Sequence, residues 1–377
     1  MKIVIAPDSF KGSLTAGQAA AYIEKGIRRV FPSCTVDRIP VADGGEGTVD
    51  AMVSATGGKM VRKRVLGPLG DEVEGIFGIL GDGRTAVIET ASASGLMLIP
   101  PGRRNPMTAS TFGTGQLIMD ALDRGCRKFI IGLGGSATVD GGAGLLSALG
   151  VEFTDRSGRR IPAGGGGLEL LSSIDPSGMD ERIRDSEVLI ACDVDNPLCG
   201  DRGAARVFGP QKGATQQMVK LLDKNLRNLA DVIMETTGRD VCSIPGAGAA
   251  GGIGAGMAAF MNASLVTGVD IILEAVGFEE RVKDAGLVIT GEGSMDYQTL
   301  HGKAPIGVAR IAKRYRVPVV AMAGGVKGDI SPLYEEGISA VVSICSRPMS
   351  LQQAMSKAGD LLTDTAERVM RLIDIKI

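Results

Sequence analysis

Seven short apolar runs, at residues 3–6, 39–42, 129–133, 188–192, 287–290, 317–322 and 340–344, constrain the fold more than any other feature. Each is too short for a buried helix and reads as a strand covered on both faces. Helical stretches separate most of them, which predicts parallel strands joined by right-handed crossovers. The first helix is the most sharply marked. Thr15 and Gln18 form a capping box, Ala19, Ile23, Ile27 and Val30 make one apolar stripe, and Pro32 ends it. Further helices are expected over 110–124, 215–237, 303–315 and 351–372.

Between residues 59 and 89 the pattern changes to three short strands separated by GPLGDE and GDGR, a meander without crossover helices. That change marks a domain boundary, and 377 residues suit two domains. The expected architecture is α/β with two domains. Residues 1–57 plus 285–377 form a discontinuous, Rossmann-like, doubly wound parallel-sheet domain, into which 58–284 are inserted as a second α/β domain. The active site is expected in the cleft between them, with the two crossings, near Gly57 and Asp284, acting as a hinge. No internal repeat at a fixed period is present.

Glycine supplies 55 residues, about twice the usual share, without the period of a fibre, so it serves turns and close backbone approaches. With 41 basic and 43 acidic residues the net charge is −2, too balanced for general attraction to nucleic acid or a membrane surface. An anionic ligand therefore needs a locally built site. Six cysteines without a CxxC pair, and one histidine, exclude a His/Cys zinc cluster and read as reduced thiols in the cytoplasm. Lys2 precedes only four apolar residues before Pro7 and Asp8, too few for a signal peptide. The uncharged stretch between Asp240 and Asp270 is Gly- and Ala-rich, a buried loop and short helix rather than a membrane span.

In open parallel sheets ligands bind beyond the carboxyl ends of the strands. Six runs are followed by similar strings: PDSFKGS, DGGEGT, GGSATVDGGAG, DVDNPLC, GEGSMDYQ and AGGVKG. Each combines glycines that let amides approach an anion with carboxylates, hydroxyls or a lysine. One such string is ordinary turn chemistry; six in order point to magnesium-dependent phosphoryl transfer. The P-loop and protein-kinase motifs are absent. A GxGxxG at Gly246, Gly248 and Gly251 follows VCSIP, which is short and ends in proline, a poor context for a dinucleotide fingerprint. His301 sits in a polar turn suited to bracing a loop. Lys303, just before Pro305, stands where a helix start would offer amides to phosphate. Lys11, Lys212 and Lys327 read equally as solvated or site lysines.

Taken in order, APDSFKGSLTA, VADGGEGT, IGLGGSATVDGGAG, CDVDNPLCG, FGPQKGA, PGAGAAGG and TGEGSMDYQTLHGKAP resemble the bacterial type-1 glycerate kinase family. The likeness implies a two-domain α/β kinase that uses ATP to phosphorylate D-glycerate in glyoxylate, glucarate and galactarate breakdown, with enteric members making 2-phosphoglycerate. It does not fix residue roles, which rest on chemistry. Lys11 with Ser9 and Ser13 suits the substrate carboxylate, with Asp43 nearby. The amides of Gly134, Gly135 and Ser136 with Lys303 suit nucleotide phosphates, and Glu292 or Asp296 suits Mg²⁺. Asp193 is the first choice of base for the attacking hydroxyl and Asp195 the second. Two rivals remain: an NAD(P)-dependent oxidoreductase of a small hydroxy acid, which needs the GxGxxG, and a solute-binding protein, which needs export.

Overall fold

A computed structural model describes residues 1–300 and 302–375, apart from the side chain of Gln298; His301 lies outside the described residues. The chain divides into two compact units. The first comprises Met1–Asp43, Asp50–Gly58 and Gly268–Ile377, the second Gly44–Val49 and Lys59–Thr267. The return to the first unit thus comes at Gly268 rather than near Asp284. The residues between form the helices Gly268–Ala275 and Phe278–Val282, which pack on the helix Ala304–Arg314.

The first unit is built on a five-stranded parallel sheet of β1 (Lys2–Pro7), β2 (Thr35–Arg38), β11 (Leu287–Met295), β12 (Val319–Val326) and β13 (Ala340–Ser343). Its order is β13-β12-β11-β1-β2, so the winding reverses between β1 and β11, where a doubly wound sheet opens a crevice. The helix Ala16–Arg28 carries the expected Thr15–Gln18 capping box and buries its stripe against the helix Ala358–Ile373. Contact there is close: a Cβ on Gly26 would lie 2.2 Å from the Thr363 carbonyl oxygen.

The second unit holds a six-stranded mixed sheet. It comprises β3 (Lys59–Leu66), β4 (Glu72–Ile79), β5 (Thr85–Glu89), β6 (Lys128–Gly132), β9 (Glu187–Ala191) and β10 (Ser264–Val266), in the order β10-β9-β6-β5-β4-β3. β3, β4 and β5 are the antiparallel meander, and β5, β6, β9 and β10 run parallel. A separate ribbon pairs β7 (Glu152–Thr154) with β8 (Ser173–Asp175). The uncharged stretch forms a buried Gly-rich loop and the helix Ile253–Phe260.

Two elements differ from expectation. The second run lies after its strand: β2 ends at Arg38, and residues 39–42 are buried coil. Ile39 and Val41 still donate to the carbonyls of Ile5 and Pro7, but Pro40 has no amide with which to continue a regular ladder. The expected helix 351–372 is two, Leu351–Ser356 and Ala358–Ile373, broken at Lys357. The first piece has no buried residue, whereas the second packs tightly enough that a Cβ on Gly359 would strike the Tyr22 ring. One straight helix cannot serve both surfaces. No described helix is long and apolar enough to cross a membrane.

Candidate functional site

In the first unit the register of β1 and β11 does the positioning. Pro7 pairs with Gly291, so Asp8, just past the end of β1, lies beside Glu292, which is still within β11, and the Asp8 amide donates to the Gly291 carbonyl. Asp8 and Glu292 border a cavity of about 510 Å³ with Ser9, Lys11, Ser13 and Lys303, closed on the far side by the helical segment around Met355. Five side chains chosen from sequence, Ser9, Lys11, Ser13, Glu292 and Lys303, therefore meet in one place, and Lys327 joins them.

The electrostatics are those of carboxylates held around cations. Asp43 reaches Lys11 at 3.6 Å, and Glu292 Oε2 reaches the Lys303 ammonium at 3.1 Å while Oε1 accepts from Thr299 Oγ1. Burial opposes the Lys11 charge, but Asp43 and Asp8 outweigh it and hold the ammonium above its ordinary pKa. Asp8 is only 3% exposed. Burial first, then the Asp43 charge, pushes its carboxyl from 3.8 up to about 7, against the Ser9 amide that stabilises the anion. Glu292 is also raised by burial, with Lys303 and Thr299 opposing. Ser13 donates its hydroxyl to the Met355 carbonyl, so only its lone pairs remain available in that arrangement. Asp296, half-buried at the end of β11, binds the Thr299 hydroxyl through its amide.

Lys303 precedes the helix Ala304–Arg314, as expected, but its ammonium is engaged by Glu292. It belongs to the first unit, whereas Gly134, Gly135 and Ser136 belong to the second. There they follow β6, and among the described residues their amides make no hydrogen bond. The segment Gly44–Val49 crosses the end of β6 so closely that a Cβ on Gly132 would lie 2.8 Å from the Gly44 carbonyl oxygen. Glu89, at the end of β5, accepts from the Val49 amide and is raised by burial. Beneath the loop lies Lys212, which sequence left undecided and which is 2% exposed.

Asp193 and Asp195 are both exposed beyond β9. Asp195 pairs with Arg202 at 2.7 Å, and that contact holds its carboxyl below the ordinary range, which weakens it as a base. Gly246, Gly248 and Gly251 do not follow a strand. Instead they admit neighbouring backbone: a Cβ on Gly251 would lie 2.0 Å from the Thr138 carbonyl oxygen, and one on Gly248 2.1 Å from that of Pro197. The dinucleotide fingerprint thus lacks its strand–turn–helix setting.

Sequence reasoning passed over Asp8, inside the quoted PDSFKGS, and Asp140, inside GGSATVDGGAG. The signal was present in the strings; what set these carboxylates apart is burial, which no string states.

A family model described as the glycerate kinase family matches residues 3–374. The chain belongs to the glycerate kinase family. Among its curated relatives are the glycerate kinase of Bacillus subtilis, 52% identical over 100% of this chain and 98% of the relative, and the glycerate 2-kinase of Escherichia coli, 49% identical with the same coverage. The glycerate kinase of Halalkalibacterium halodurans is 53% identical over 97% of each chain. A crystal structure from Salmonella typhimurium LT2, provisionally named glycerate kinase 2, superposes with a TM-score of 0.92 at 48% identity, over 99% of this chain and 98% of that one. Family membership makes the protein an enzyme of the kinase class, and the two α/β sheets belong to the same architecture as that relative.

Proposed function

We propose that the protein transfers the γ-phosphoryl group of ATP to the 2-hydroxyl of D-glycerate, giving 2-phosphoglycerate, in the cytoplasm. Beyond family membership, the observation that carries this reading is the cavity where Asp8 and Glu292 lie beside Lys11 and Lys303. Glycerate is a small carboxylate with two hydroxyls, and it fits a pocket of that size lined by cations, hydroxyls and a carboxyl poised near neutrality. Lys11 and Ser9 bind the substrate carboxylate, with Asp43 fixing the Lys11 ammonium. Asp8 takes the base role first sought at Asp193: a carboxyl near pH 7 can accept the proton of the attacking hydroxyl and pass it on after transfer.

Phosphoryl transfer needs little covalent help from protein, so positioning and charge carry it. In the second unit the free amides of Gly134, Gly135 and Ser136 suit nucleotide phosphates; in the first, Lys303 can exchange Glu292 for an anionic oxygen. For Mg²⁺ the donor set matters: among the described residues no three His, Cys, Asp or Glu side chains gather into a metal site. A polyphosphate-borne Mg²⁺ needs only one or two carboxylates besides phosphate and water; Glu292, which borders the cavity, can supply one, and Asp296 is the second candidate. When bound, the ion neutralises charge on the phosphates.

The test is ADP release by purified protein with each of ATP, Mg²⁺ and D-glycerate omitted in turn, followed by enolase alone. Enolase consumes 2-phosphoglycerate but not the 3-isomer, so phosphoenolpyruvate formation supports the product assignment. ADP without phosphoenolpyruvate overturns the 2-phosphate product, and NADH oxidation without ADP release overturns the whole reading.

A further inference from the structure

A lysine is rarely buried unless its ammonium is paired, yet Lys212 is 2% exposed and makes no salt bridge among the described residues. It ends the short turn Pro210–Lys212, and Gly213 follows in the left-handed region at φ 92°, where a Cβ would lie 2.5 Å from the Arg104 carbonyl oxygen. The backbone is therefore fixed just where the side chain sets out. Its ammonium donates to Ser136 Oγ at 2.8 Å and to the Thr138 carbonyl at 2.7 Å, both in the loop after β6. A neutral side chain would fill the space without the desolvation cost, so stability alone does not account for an amine here.

The loop is otherwise prepared for an anion. Its three leading amides are unpartnered, and the buried Thr138 hydroxyl has no hydrogen-bond partner. Asp140 anchors the far end, accepting from the amide and hydroxyl of Thr111 at 2.9 Å and from the Gly142 and Gly144 amides. Asp140, its carboxyl spent on that bracket and raised by burial against those donors, is the acidic group that faces Lys212. Because the ammonium occupies a lone pair of Ser136 Oγ, the hydroxyl hydrogen is left to point elsewhere.

We infer that Lys212 is a positioning residue: it turns the Ser136 hydroxyl into an outward donor and places a positive charge beneath the Gly134–Ser136 amides, so that the loop takes an anionic oxygen of a substrate. The inference rests on the kinase reading above, with a nucleotide phosphate as the expected oxygen. Burial is what brings the amine down to about 7, and a neighbouring anion raises it again, so ligand binding and protonation of Lys212 favour each other.

Titration calorimetry of the full chain with ATP–Mg²⁺ and, separately, with D-glycerate tests this, comparing wild type with Lys212→Met and Ser136→Ala. Lys212→Met should weaken one ligand by about tenfold or more, as loss of a charge-assisted contact does, while melting temperature holds or rises. The ligand that weakens is the one whose oxygen the loop takes. Ser136→Ala should weaken the same ligand, and the double variant should lose no more than the worse single one. Unchanged affinities for both ligands in Lys212→Met overturn the inference, as does a lower melting temperature with affinities intact. Should Lys212→Met fail to fold, Ser136→Ala decides alone: unchanged affinities overturn the role. Failure of the kinase reading shows separately, as wild-type protein that releases no glycerate-dependent ADP.

Discussion

Replacing Asp8 by Asn should move activity and stability in opposite directions. Asp8 is 3% exposed, and its carboxyl is pushed from 3.8 to about 7, first by burial and then by Asp43. A base of that pKa is about one-tenth ionised at pH 6 and about nine-tenths ionised at pH 8, so kcat/KM of the wild type should climb through pH 7. Asn cannot accept the proton, and kcat should fall by roughly 10²- to 10⁴-fold while that rise disappears.

The stability sign follows from linkage. A carboxyl whose pKa is raised on folding disfavours the folded state wherever it must ionise: the penalty is absent below pH 3.8, grows between the two pKa values, and is complete above about 7. The difference of about 3 pKa units sets a ceiling of about 4 kcal/mol. Asn can still accept from the Ser9 amide, so at pH 8 the variant should melt higher than wild type, with the gap closing toward pH 4. Initial rates over pH 5.5–9 at saturating and limiting D-glycerate, with denaturant melts at matching pH, measure both limbs. A variant that retains kcat, or loses it while also losing stability at pH 8, refutes the argument.

Asp195→Asn, which breaks only an exposed pair with Arg202, should leave kcat near wild type and stability within about 0.5 kcal/mol, and Asp193→Asn should cost far less kcat than Asp8→Asn. Chelation by EDTA should abolish turnover and excess Mg²⁺ restore it, with no change in melting temperature by scanning fluorimetry, because no described three-ligand cluster ties a metal to the fold. Gly251→Ala places a methyl 2.0 Å from the Thr138 carbonyl oxygen at φ 78°, and should destabilise by at least about 1–3 kcal/mol in urea melts.

The parallel strands were legible because a strand buried on both faces must be an apolar run, and its carboxyl end must turn at Gly, Asp or Ser. That logic places β1, β6, β9, β11, β12 and β13 and most of their following loops. It misplaced β2, whose residues, Thr35–Arg38, are partly exposed and charged, while the apolar run that follows is buried coil interrupted by Pro40. The break at Lys357 was equally invisible, since neither neighbouring segment contains a proline and tight packing against Tyr22 is a tertiary fact. For the site, composition found the strings but not the ranking within them. Asp8 and Asp193 look alike in sequence, each an Asp just past a strand. The difference is that β11 and Asp43 close over the first, while the second stays exposed.

The same distinction explains how a chain of net charge −2 can offer anions a home with few cations. An exposed lysine contributes little, because water and salt screen it. A buried one acts through a poorer dielectric, at the cost of desolvation that tends to discharge it. Lys303, half-buried, and Lys212, buried, meet an incoming anion differently. Lys303 stays beside Glu292, so an incoming anion must displace a carboxylate. Lys212 has backbone and hydroxyl partners instead, so nothing must be displaced, but the charge itself is marginal until an anion arrives. Unpartnered amides need neither device, since their dipoles are fixed by the glycine backbone and cannot be neutralised by proton loss. Carboxylates around Lys11 and Lys303 therefore do not contradict an anion-binding role. Around Lys11 they hold the ammonium above its ordinary pKa before substrate is present.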